Sequence, residues 1–152
     1  MIAIGSDHLG YKLKEVLRGF IERELNIKCL DIGVDSEEPA DYPDVAFEVT
    51  KKIKKGLCRQ GILICGTGIG MAIAANKVPG IYAAVCHDPY SAERAKKSNN
   101  TNVMTIGALV IGVELAKKLV SIWLSSEFQG GNSARKVDKI IACEEQCLTK
   151  NR

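Results

Sequence analysis

The sequence predicts an α/β fold, a five-stranded parallel sheet flanked by helices, and three observations carry that prediction. Short apolar runs alternate with helical stripes along the whole chain. The runs are too short for helices and suit buried strands. Glycines and polar turns mark the junctions between them.

The elements follow in order. Residues 1–6 read as a buried first strand, and Leu13, Val16, Leu17, Phe20 and Ile21 then recur at i, i+3, i+4, i+7 and i+8, the stripe of a helix packed on one face. A second strand fits Ile27 to Val34, ended by Gly33 and the polar turn to Tyr42-Pro43-Asp44. Val45, Val49 and Ile53 give the next helical face. Ile62 to Cys65 forms a third strand, followed by glycines and a small-residue helix around Met71 to Ala75. Ile81 to Cys86 forms a fourth, after which Asp88 caps a helix with Pro89 at its first position. Val103 to Ile106 makes a fifth, and Leu115, Leu119, Ile122 and Trp123 stripe the helix behind it. Gly130-Gly131 breaks that helix, and Val137, Ile140 and Ile141 begin a last one. The expected architecture is a three-layer Rossmann-like fold occupying residues 1–152 as a single domain.

Composition supports a globular protein: 46% of residues are hydrophobic and 26% charged. A chain of this length buries roughly two-thirds of its unfolded surface. MIAIGSDHLG has no basic n-region and reads as a strand rather than a signal peptide, and no run approaches the ~18 apolar residues of a spanning helix. The six cysteines fall mostly within strands or on the last helix, so reduced thiols in a cytoplasm are expected. Without a C-x-x-C pair, and with His8 and His87 far apart, no metal site is expected. A net charge of +3, dispersed among acids, gives no nucleic-acid footprint.

In parallel sheets of this kind ligands bind at the carboxyl ends of the strands, which directs attention to Asp7-His8, Tyr42, Cys65 to Gly70 and His87-Asp88. Cys65 precedes Gly66-Thr67-Gly68-Ile69-Gly70 and a helix N-terminus, where backbone N–H groups favour an oxyanion or a thiolate. The alternative is that Cys65 is a small buried hydrophobe. The glycine pattern is G-x-G-x-G, not the dinucleotide fingerprint, so a non-catalytic nucleotide or sugar-phosphate binding module stays open. Asp7 either contacts sugar hydroxyls or caps the first helix. His8 and His87 are candidate acid–base groups. Ser98-Asn99-Asn100 is either a turn or a source of amide ligands for hydroxyls.

Taken together, SDHLGYKLK from Ser6, DYPD from Asp41, GILICGTGIGMAIAANKVPGI from Gly61, SNNTNV from Ser98 and the GG before Asn132 resemble the ribose-5-phosphate isomerase B and galactose-6-phosphate isomerase family. The resemblance implies a cofactor-independent aldose–ketose isomerase, acting through an enediolate in a site shared between the subunits of a homodimer or a dimer of dimers. Its first substrate would be ribose 5-phosphate, converted to ribulose 5-phosphate. Allose or galactose 6-phosphate, or a free sugar, are the alternatives. Cys65 matches the base, and Thr67 with the N–H groups of Gly66, Gly68 and Gly70 matches the enediolate-binding groups. Asp7, Tyr42 and Asn99 match sugar contacts, and His8 a residue near the phosphate; Arg135 and Lys136, with His8, are the candidates to compensate for the arginines this chain lacks. The helix from about residue 133 is expected to pack on the partner subunit.

Three departures from the family stand out. Ser98 occupies the position of a ring-opening histidine, so His87 is expected to take that role. Leu109 and Asn132 replace arginines, and Lys136 replaces another. Arginine binds phosphate bidentately and lysine as a point charge, so reduced affinity for ribose 5-phosphate is expected.

Overall fold

The computed structural model describes residues 1–150; the last two residues of the expected domain lie outside the described residues. Five strands, β1 (Ile2–Ser6), β2 (Cys29–Asp31), β3 (Gly61–Cys65), β4 (Ala83–Val85) and β5 (Val103–Gly107), pair in parallel in the order β2-β1-β3-β5-β4. The helices are α1 (Tyr11–Arg23), α2 (Tyr42–Lys54), α3 (Ile69–Ala75), α4 (Pro89–Lys97), α5 (Val113–Ser125) and α6 (Ala134–Lys150), the last preceded by a single 3-10 turn.

The central strands are buried along their whole length and divide the core in two. On one face Ile2, Ile4, Ile62, Ile64, Met104 and Ile106 meet α1, α4 and α5; on the other, Ala3, Leu63, Cys65 and Val103 meet α2 and α3. The alternation of side chains across the pleat makes consecutive residues serve opposite faces, which is why these strands read as unbroken apolar runs.

The two edge strands are shorter than the sequence suggests. β2 was expected over Ile27–Val34 and spans three residues, although Ile32 N–H and Val34 N–H still donate to the Ile4 and Ser6 carbonyls at 2.9 and 3.1 Å. β4 was expected from Ile81 to Cys86 and is likewise three residues long. At its entry the Tyr82 N–H donates to Asn102 Oδ1 instead of a strand carbonyl. A strand with one neighbour has half its ladder to hold it, so local side-chain bonds decide where it begins.

Helix α1 buries Leu13, Leu17 and Ile21, whereas Val16, expected in the same stripe, is 39% exposed. The fourth buried position is Lys14, 1% exposed, whose ammonium meets Asp31 at 2.6 Å and Glu15 at 3.0 Å. A buried cation must be paired, and this pair ties α1 to the end of β2. On α5, Trp123 is fully buried and donates from Nε1 to Thr101 Oγ1 at 3.0 Å. Among the described residues no helix is long and apolar enough to cross a membrane.

Candidate active site at the switch between strands 1 and 3

β1 leads through α1 to one edge of the sheet, and β3 leads through α3 towards the other, so a crevice opens where their carboxyl ends diverge. A hollow of about 500 Å³ occupies it, lined by Asp7, Tyr42, Cys65, Gly66, Thr67 and Gly70, with Leu9, Ile69, Ile73 and Leu109 around them.

Cys65 ends β3 and is 5% exposed. Its Sγ accepts the Gly68 N–H at 3.1 Å, a bond that an anionic sulfur accepts more strongly than a neutral thiol. The turn depends on Gly68, whose φ of +78° is left-handed; a Cβ there would also lie 2.9 Å from the Ile106 carbonyl carbon. Thr67 Oγ1 accepts the Ile69 N–H at 3.2 Å. At Gly70 a Cβ would come within 2.6 Å of the Tyr42 ring, so the glycine admits the tyrosine to the wall.

Asp7 follows β1 and is 4% exposed. Its Oδ1 accepts the Gly10 N–H at 3.0 Å, closing the turn into α1. The capping and ligand readings are therefore compatible: one oxygen holds the turn while the residue also lines the hollow. His8 faces a neighbouring hollow with Asp41 and Asp44, and its Nδ1 accepts the Ala40 N–H at 3.2 Å.

His87 is not part of this wall. It follows β4, one strand beyond β5, and its Nε2 accepts the Gly107 N–H at 2.9 Å. Burial, opposed by Asp88, lowers its pKa, so the ring is neutral at pH 7. With Nε2 accepting a backbone N–H, the ring-opening role expected for His87 would fall to the proton on its Nδ1. Asp88 is the cap of α4, accepting the Ser91 N–H at 2.8 Å, with Pro89 in the first turn.

Asn99, Arg135 and Lys136 are exposed and do not line the hollow. Asn99 lies four residues before β5, at the opposite end of the sheet from Cys65, and the other two are on α6. Of the apolar rim, only Leu109 stood out in the sequence. Leu9, Ile69, Ile73 and Leu109 are 48%, 55%, 58% and 74% exposed, and the i, i+4 spacing of Ile69 and Ile73 on an otherwise small-residue helix was the available signal. No group of three or more possible metal ligands occurs among the described residues.

Residues 2–140 match the family model described as Ribose/Galactose Isomerase. The chain is 51% identical over 151 residues to a ribose-5-P isomerase B of Listeria innocua, covering 99% of both chains. It is 50% identical over 146 residues to a D-erythrulose-4-phosphate isomerase of Pectobacterium atrosepticum, covering 95% of both. Among solved structures it resembles the ribose-5-phosphate isomerase B of Clostridium thermocellum, with a TM-score of 0.92 and 45% identity over 95% of this chain and 97% of that one.

Proposed function

Because the chain belongs to the ribose/galactose isomerase family, we propose that it interconverts an aldose phosphate and its ketose at the loop after β3, with Cys65 as the base. The observation that carries this reading is the Gly68 N–H directed at a sulfur on the floor of a hollow that also holds Asp7, Thr67 and Tyr42.

In the forward direction the Cys65 thiolate takes the proton from C2 of the open-chain aldose. The electron pair moves into a C1–C2 double bond, and the charge developing on O1 meets the Gly66 and Gly70 N–H groups and the Thr67 hydroxyl, the Gly68 N–H being directed at the Cys65 sulfur. The hydroxyl proton passes from O2 to O1, a transfer for which Thr67 and Asp7 are the polar groups at hand. Returning the first proton to C1 completes the ketose. Atoms and charge balance without a cofactor.

Among the described residues no lysine or arginine lines the hollow, and its rim is apolar and exposed. Both features support a homodimer in which the partner covers the rim and its Asn99, Arg135 and Lys136 reach the far end of the substrate. The exposed apolar residues Ile140 and Leu148 on α6 are consistent with packing on that partner.

Ribose 5-phosphate is the first substrate on this reading. A second, tetrose 4-phosphate, is favoured by a specific observation. Ser98 replaces the expected ring-opener, and each of the chain's two histidines has one ring nitrogen accepting a backbone N–H. Erythrose 4-phosphate carries its phosphate on O4 and so cannot close a furanose ring, which removes the need for ring opening. Assaying purified protein against ribose 5-phosphate, erythrose 4-phosphate and the free sugars separates the readings. A higher kcat/KM for the tetrose phosphate supports the second, and turnover of free sugars alone would exclude both.

A further inference from the structure

At the opposite end of the sheet, where β3 and β5 begin, a second cavity of about 320 Å³ lies between the last turn of α4 and the segment after α5. Its wall includes Arg59, Gln60, Lys96, Asn100, Ser126 and Glu127. The Lys96 ammonium sits 4.3 Å from the centroid of the Trp123 ring and donates to Gln60 Oε1 at 2.7 Å. Among the described residues neither Lys96 nor Arg59 forms an ion pair, although nine other pairs within 4.0 Å are present.

The contrast with Lys14 shows why this matters. Lys14 is the more deeply buried lysine and has two carboxylates within 3.0 Å. Lys96 has a neutral amide and an aromatic face, with a second cation close by. Its pKa is pulled down to about 8, by burial first and then by the Arg59 guanidinium. The C-terminal ends of α4 and α5 contribute only partial negative charge here, and Glu127 bonds to neither cation. The wall therefore carries two cations against one carboxylate, and neither cation is paired with it.

We propose that this cavity binds a small phosphate monoester or free phosphate, with Arg59 and Lys96 on the phosphate oxygens and the Gln60 and Asn100 amides beside the attached group. A guanidinium fork and an ammonium point charge complement a phosphate with three terminal oxygens. The volume accommodates a phosphate carrying a short polar chain. The site is distinct from the isomerase hollow: Gln60 immediately precedes β3 and Cys65 ends it, five residues later and roughly 16 Å away. It does not depend on which sugar is isomerised.

Trp123 is the only tryptophan in the chain and lies directly under Lys96, so its emission reports on the site. Inorganic phosphate is titrated into the full chain at pH 7.5, with chloride holding the ionic strength constant. The expected result is a saturating change in emission, weakened at least about tenfold in Arg59→Gln and abolished in Lys96→Met, but retained in Cys65→Ala. With phosphate bound, the Lys96 titration read through Trp123 should move upward by about one pH unit. A non-saturating response, an equal response to acetate, or an Arg59→Gln protein that binds as tightly as the unaltered chain would overturn the proposal. Arg59 is exposed, so its variant remains informative even if Lys96→Met misfolds.

Discussion

The ends of β3 and β4 present the same residue type in opposite hydrogen-bonding arrangements. Cys65 and Cys86 are both buried at the carboxyl ends of parallel strands, each followed by a turn into a helix. Cys65 receives the Gly68 N–H at 3.1 Å. Cys86 instead directs its thiol to the Ala84 carbonyl at 3.7 Å, and burial, followed by Asp88, pushes it up to about 12. What separates them is the turn that follows. The left-handed Gly68 folds the backbone so that a donor points back at the sulfur, whereas the Asp88-Pro89 turn spends its polar groups on capping α4. If Cys65 is the base proposed above, backbone direction is what distinguishes it from Cys86, since burial and strand position are shared.

The largest expected effect tests that contrast in catalysis. Cys65→Ala should lower kcat by at least about a thousandfold, the range of a lost general base, while Cys86→Ala should leave kcat within about twofold. Equal losses in the two variants would show that the loop geometry is not what matters. Thiol chemistry should sharpen the same comparison. In a chain with Cys143 and Cys147, both exposed, replaced by serine, iodoacetamide at pH 8 should label Cys65 and leave Cys86 intact, as read by peptide mass spectrometry. With its pKa near 12, Cys86 should react only in strong alkali or on unfolding.

The turns themselves give the next effects. Gly68→Ala forces a side chain into a left-handed conformation and against Ile106, at a cost of about 1–3 kcal/mol. It should reduce both stability and kcat, because the donor to Cys65 moves with it. Asp88→Ala removes only a cap, so chemical denaturation should show a loss of about 1 kcal/mol with kcat unchanged. A fall in kcat for Asp88→Ala would bring the end of β4 into the catalytic site after all.

The central strands were legible because burial on both faces leaves an unbroken apolar run, and the loop after β3 because its glycines interrupt one. Other features were set by contacts that a linear pattern does not encode. The edge strands stop where Asn102 and local turns take over the hydrogen bonding. Gly70 reads as a backbone donor, and the room that its missing side chain leaves for Tyr42, a residue 28 positions earlier, is visible only in the fold. His87 reads as a free imidazole until β5 places the Gly107 N–H against it. Lys96 and Lys97 look alike at the end of a helix. Lys97 pairs with Glu93 at 2.6 Å, while Lys96 turns onto Trp123. Asn99, Arg135 and Lys136 lie away from the hollow in one chain, and sequence periodicity reports which face is buried without saying which chain covers it.

Exchange at C2 tests the central claim most directly. The protein is incubated with its aldose phosphate in deuterated water and the recovered aldose is examined by proton NMR. Cys65 acting as the base predicts deuterium at C2 with the unaltered chain and none with Cys65→Ala, while Cys86→Ala exchanges normally. Exchange that persists in folded Cys65→Ala would contradict the assignment and move the base elsewhere in the hollow.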